Sequence, residues 1–182
     1  MKTAIIKIRK IFVITLIVCA MTGAVNIYAA TIEGTYPVQK GMILVTSDWS
    51  YGVLPSGHAA IVWDENTVIE AQTGGVMMGL NDWMSNRSEV YGVQVKGLTQ
   101  EQCAAAADWC MQQLGKPYNY NYLNKRTRDE FYCSQLVWAA FYDLYNIDLS
   151  IVSTNPLTWT TAVHPMELVN SDKTETIFHF QK

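Results

Sequence analysis

Histidine and cysteine are scarce in this chain, and their spacing excludes more than their number does. There are three histidines and four cysteines in 182 residues. No C-x-x-C pair occurs, so the recurrent zinc frameworks have no ligand set, and neither a metal nor a cofactor is expected. Cys103 and Cys110 stand seven residues apart in a segment that reads as one helix, which separates their Cα atoms by about 10.5 Å. A disulfide needs less than about 7 Å, so both are expected as free thiols in an apolar stripe. Cys19 lies inside an apolar run, which leaves Cys133 without a partner. Repeats, low-complexity tracts and a second domain boundary are also missing.

Long apolar runs are confined to the first thirty residues. Lys2, Lys7, Arg9 and Lys10 precede the apolar stretch Ile11 to Val25, and Tyr28-Ala29-Ala30 offers small residues for cleavage. That is the pattern of a secretory signal. An uncleaved anchor is the rival, but the run is short for a span. The expected organisation is a signal peptide over 1–30 and one globular domain over 31–182. The protein is expected to be secreted or held in the cell envelope, touching membrane only through the leader if it stays attached. Without the leader, nine Lys and Arg face sixteen Asp and Glu, a net charge of −7. Such a balance gives no footprint for nucleic acid or, by charge alone, for anionic lipid.

What is present is an alternation of short β-type runs and two strong helices. Gly41-Met42-Ile43-Leu44-Val45-Thr46 reads as a buried strand, and residues 47–57 as a loop carrying Trp49 and Tyr51. His58 to Trp63 and Thr67 to Ala71 flank Asp64-Glu65-Asn66 and predict a hairpin. With a three-residue loop, His58 faces Gln72, and Glu70 lies diagonal on the same face. Either Glu70 or Gln72 is therefore placed to orient His58. Gly74 to Arg87 reads as a turn and a short helix, and Val90 to Val95 as a strand. Thr99 to Leu114 reads as a helix opened by a Thr99/Gln102 capping box and closed by Gly115, with Cys103, Ala107, Cys110, Met111 and Leu114 on its buried stripe. Residues 164–168 suggest a short helix and 176–180 a closing strand.

The second helix begins at a cysteine. Leu136, Val137, Ala140, Phe141 and Leu144 recur at helical spacing after Cys133. Cys133 thus falls in the first turn, where unpaired N–H groups and the helix dipole favour a thiolate. A cysteine buried as a small apolar residue is the plain alternative. Taken with a histidine opening a strand and a carboxylate on the paired strand, it has what a thiol nucleophile needs: a base for its proton and a group to orient that base.

These pieces, in this order, resemble the permuted papain-like amidases, the YiiX-like branch of the NlpC-type cysteine peptidase superfamily. The resemblance rests on Gly41-Met42-Ile43-Leu44, Gly57-His58-Ala59-Ala60-Ile61-Val62, Val68-Ile69-Glu70-Ala71, Gly115-Lys116-Pro117-Tyr118, Tyr132-Cys133-Ser134-Gln135-Leu136-Val137 and Pro165-Met166-Glu167-Leu168. It implies an α+β, permuted papain-like fold, with an antiparallel, partly barrel-like sheet packed against helices and the catalytic Cys at a helix N-terminus. It also implies Cys133 as nucleophile, His58 as base and Glu70 as orienting acid, with Tyr118 and Tyr132 on the substrate and oxyanion side. Two positions depart from the family pattern: Met42 where an acidic residue usually follows the glycine, and Gln135 where a Glu often follows Cys-Ser. The expected activity is hydrolysis of an amide, with an ester second to it, in a peptide or small amide substrate, a peptide of cell-wall type being the first candidate. The rivals are a lipid-directed acyl hydrolase or acyltransferase, for which Trp49, Tyr51, Trp83 and Trp138 would suit an acyl chain, and a catalytically silent binding module.

Overall fold

The computed structural model describes residues 38–48, 57–151 and 162–182. The expected leader, the boundary at residue 30, Cys19 and the loop aromatics Trp49 and Tyr51 lie outside the described residues. Strands β1 (Ile43–Thr46), β2 (His58–Val62), β3 (Thr67–Gln72) and β4 (Gly75–Leu80) come first, followed by the one-turn helix α1 (Trp83–Asn86) and strand β5 (Glu89–Val95). Helices α2 (Gln100–Met111), α3 (Cys133–Tyr145) and α4 (Pro165–Asn170) precede the last strand, β6 (Thr174–Gln181). All neighbouring strands pair antiparallel in one sheet of six, in the order β4-β3-β2-β1-β5-β6. The fold is α+β. Among the described residues no helix is long and apolar enough to cross a membrane.

Strand alternation sends side chains to two apolar layers. Ile43, Val45, Ala59, Ile61 and Ile69 face the helices and meet Leu136, Val137, Ala140 and Phe141 of α3. These four α3 residues are fully buried, and burying a large apolar side chain contributes roughly 1.5–3 kcal/mol. Leu144, expected on the same stripe, is 41% exposed. The opposite face carries Met42, Leu44, Ala60, Val62, Val68 and Val90 around Trp83. Met42 is thus a core residue here, and its departure from the family pattern is absorbed by packing.

The β2–β3 hairpin has the three-residue loop. Asp64 Oδ1 accepts from the Asn66 and Thr67 N–H groups, each at 2.9 Å, closing an Asx turn. Ala60 then pairs with Glu70 and Val62 with Val68. Helix α2 has its Thr99/Gln102 capping box, but it ends at Met111, earlier than expected. Gln113 and Leu114 bond back only three residues, to Cys110 and Met111. This tighter turn swings Leu114 off the stripe, where it is 39% exposed. The buried face of α2 is Cys103, Ala106, Ala107 and Cys110. Cys103, Cys110 and Cys133 are all free thiols.

Two further expectations are corrected. Gly75–Leu80 is a strand rather than part of a turn, and it forms the sheet edge beside β3. The closing strand is longer, Thr174–Gln181, because β5 offers a long partner and accommodates a register shift between Gly92 and Val93.

Candidate active site

His58 is the first residue of β2, and Cys133 is the first of α3. Gly57, just before His58, adopts φ +69°, and a Cβ there would stand 2.2 Å from the Thr46 carbonyl oxygen. Glycine therefore fixes how the chain enters β2. Helix α3 packs on β2 and β3, so its N-terminal end reaches the same end of the sheet. There His58 lies between two partners. Its Nε2 is 2.5 Å from Glu70 Oε2, and the ring also hydrogen-bonds Cys133. With Nε2 engaged by Glu70, Nδ1 is the nitrogen left for the thiol. Gln72 Nε2 donates to the other carboxylate oxygen, Glu70 Oε1, at 2.7 Å. Of the two candidate orienting groups, Glu70 makes the contact.

All three groups are nearly covered: Cys133 is 8% exposed, His58 7% and Glu70 5%. Burial alone would drive each toward its neutral form. At Cys133 burial pushes the thiol up, but the His58 hydrogen bond and charge, with the Ala59 and Ser134 backbone N–H groups, outweigh it and lower the pKa. At His58 burial favours the neutral ring, yet the bonds to Cys133 and Glu70 raise the pKa to about 9. Glu70 is held below the usual carboxylate range: burial opposes this, while His58, Gln72 and the Arg87 charge favour the anion. The three groups therefore favour thiolate, imidazolium and carboxylate, over a window bounded above near pH 9.

Trp83 closes the site from the sheet side. Its ring stacks on His58 with centroids 5.6 Å apart and planes 23° apart, and Arg87 sits 5.3 Å from the Trp83 ring. Trp83 is 2% exposed and Trp138 is fully buried, with its indole N–H on Asp148. Neither offers a surface to an acyl chain. The sequence named Trp83 as an aromatic but held no signal of the stack, which depends on β4 and α1 folding back over the hairpin.

The tyrosine-rich segment 118–132 supplies the remaining wall. Tyr118 bridges to Phe131 and lies near enough to Cys133 for the thiolate charge to act on it. Burial, then that charge and a hydrogen bond with Tyr122, hold Tyr118 as a neutral phenol. Tyr132 is placed differently. It is 2% exposed, and its hydroxyl accepts the Val163 N–H at 2.9 Å, tying the start of α3 to the segment before α4.

Gln135 holds this wall to the helix. It is fully buried. Its Oε1 accepts from the Tyr132 N–H at 3.1 Å and from Asn119 Nδ2 at 2.9 Å. Its Nε2 donates to the carbonyls of Lys125 and Thr127, both at 3.2 Å. The amide uses both its donor and its acceptor end, so the second departure from the family pattern has its own set of partners.

A cleft of about 480 Å³ lies behind the carboxylate, lined by Glu70, Gln72, Met77, Gly79, Trp83 and Arg87 among others. It touches neither Cys133 nor His58. Among the described residues no group of three or more His, Cys, Asp or Glu is placed to hold a metal ion.

Comparison with known proteins follows the same lines. The solved crystal structure of the metalloprotein YiiX from Escherichia coli O157:H7 is similar to this chain with a TM-score of 0.61, at 19% identity, over 79% of this chain and 98% of that one. The uncharacterized protein YycO of Bacillus subtilis (strain 168) is 34% identical over 144 residues, 76% of this chain. The match spans 55% of YycO's length. The profile of the permuted papain-like amidases, the YaeF/YiiX or C92 family, matches residues 41–178, which include His58, Glu70, Tyr118 and Cys133. With most of its length inside that match, the chain belongs to the permuted papain-like amidase family YaeF/YiiX, C92.

Proposed function

We propose that the protein is an exported thiol hydrolase that cleaves an amide bond through an acyl-enzyme on Cys133. The observation that supports this most is the His58 ring held between Cys133 and Glu70, with Nε2 2.5 Å from the carboxylate. In the proposed cycle the thiolate attacks the amide carbonyl. The developing oxyanion lies toward the α3 N-terminus, where the Cys133 N–H is a donor, and toward the Tyr118 phenol. The His58 imidazolium gives its proton to the leaving amine as the C–N bond breaks, leaving a thioester. Neutral His58 then takes a proton from water, whose oxygen attacks the thioester carbonyl. Collapse releases the acid and restores the thiolate–imidazolium pair. Glu70 stays ionised throughout and fixes the ring tautomer.

The substrate class proposed is a peptide of cell-wall type. The leader pattern read in residues 1–30 and the family's amidase description support it, and Trp83 and Trp138 are buried in the core. The test is release of amine from muropeptides beside release of fatty acid from phospholipid vesicles, both followed by mass spectrometry. Amine release that disappears on alkylation of Cys133 is expected. Fatty-acid release alone would replace the peptide with a lipid, and turnover of neither, with Cys133 unreactive, would leave a binding module.

A further inference from the structure

The edge strand β4 packs against the carboxylate that the proposed mechanism depends on. Its register sets Met77 opposite Glu70 and Gly79 opposite Val68, so Gly79 is the diagonal neighbour of Glu70 on the face that carries His58. A Cβ at Gly79 would lie 2.1 Å from Glu70 Oε1 and 2.9 Å from its Cδ, with Val68 Cγ2 at 3.3 Å. Backbone freedom is not the reason for glycine here: Gly79 is absent from the glycines with positive φ, unlike Gly75 in the same strand. A glycine inside a strand weakens it and often marks a close approach. The close approach in this case is a side-chain carboxylate.

We infer that Gly79 is a positioning residue: the space left by its missing side chain is where the Glu70 carboxylate sits while one oxygen bonds His58 and the other bonds Gln72. The inference rests on the Cys133–His58–Glu70 reading given above. An alanine at this position is allowed by the backbone. The group it meets is the far end of a flexible side chain, so the carboxylate moves and the sheet stays. Once moved, Glu70 no longer supports the imidazolium. The His58 limit then falls from about 9, and the Cys133 limit rises because its cationic partner is less populated. The window of thiolate reactivity narrows from both sides. A simple loss of packing would not do this.

The test is the pH profile of Cys133 alkylation by iodoacetamide, read by mass spectrometry, in the wild type, Gly79→Ala, Glu70→Ala and Glu70→Ala/Gly79→Ala. Gly74→Ala serves as the matched control, since a Cβ at Gly74 meets nothing within 4 Å. Gly79→Ala is expected to lower the rate at mildly acidic pH by about tenfold or more, the effect of one pKa unit. Gly74→Ala should follow the wild type, and in the Glu70→Ala background Gly79→Ala should add nothing, because its target has gone. A wild-type profile in folded Gly79→Ala overturns the inference, and so does a full additional loss in the double variant. Should Gly79→Ala fail to fold, recovery of folding in the double variant supports the clash with Glu70, and no recovery overturns it. A wild type whose Cys133 has no acid-side reactivity fails the triad reading itself, which separates the two outcomes.

Discussion

Cys133→Ser is expected to abolish the proposed turnover, by about four orders of magnitude or more, while the thermal midpoint moves by only a few degrees. The size follows from what the thiolate contributes. Removing the nucleophile of a hydrolase leaves only substrate binding and oxyanion contacts, and losses near 10⁶ are known when such groups act as a unit. A serine hydroxyl stays protonated beside His58 under conditions where the thiol is ionised, since burial raises both but only the thiol has its pKa brought down into reach. Stability is expected to change little because Cys133 opens helix α3 and belongs to neither apolar layer. Cys110 gives the contrast. It is fully buried, burial pushes its thiol well up, and its Sγ lies 3.8 Å from the Leu136 carbonyl oxygen. Cys110→Ser should lower the midpoint by several degrees, at roughly 2–4 °C per kcal/mol, and spare chemistry. Calorimetry and steady-state kinetics on both variants check the pair. Equal destabilisation with residual activity in Cys133→Ser would make Cys133 a core residue.

The second large effect falls on stability. Gln135→Glu installs the acidic counterpart of this buried amide, and it should cost about 2–4 kcal/mol. The Oε1 contacts to Tyr132 N–H and Asn119 survive the change. At the other end a carboxylate oxygen replaces an Nε2 donor that lies 3.2 Å from two carbonyl oxygens. The Arg128 guanidinium also donates to both carbonyls, at 3.1 and 2.9 Å, which keeps the cost from being larger. The sign with pH is fixed. A buried carboxyl facing acceptors has its folded pKa raised, so the deficit is absent below about pH 4.3, the unfolded value, and grows as pH rises toward the folded one. Denaturant titrations of both proteins at acid and neutral pH measure it. An equally stable Gln135→Glu at neutral pH would mean that the Tyr118–Tyr132 wall is not held by this amide.

How legible these features were depended on the range of the forces that make them. The α3 stripe and the β2–β3 hairpin were readable because each repeats at a fixed period and Asp64-Glu65-Asn66 sets the loop. That placed His58 and Glu70 on one face and Cys133 at a helix start. Strand β4 was not readable. Gly75, Met77, Met78 and Gly79 lack the β-branched pattern of a strand, and the pairing that makes them one comes from β3. The Trp83 stack, the Gln135 contacts and the Tyr132–Val163 bond join segments distant in sequence, so no local pattern announces them. The early end of α2 lies in a switch to three-residue hydrogen bonds at Gln113 and Leu114.

The most direct measurement of the central claim is site-resolved alkylation of the folded protein by iodoacetamide at about pH 6, where an ordinary thiol with pKa near 8.5 is almost wholly protonated. The account predicts that Cys133 is labelled while Cys103 and Cys110 are spared, since burial raises both of the latter. His58→Ala should remove the labelling at that pH and leave it intact in alkali. Cys133 that stays inert in the folded protein, or that labels at the same rate without His58, contradicts the proposal that these residues form a thiolate–imidazolium pair.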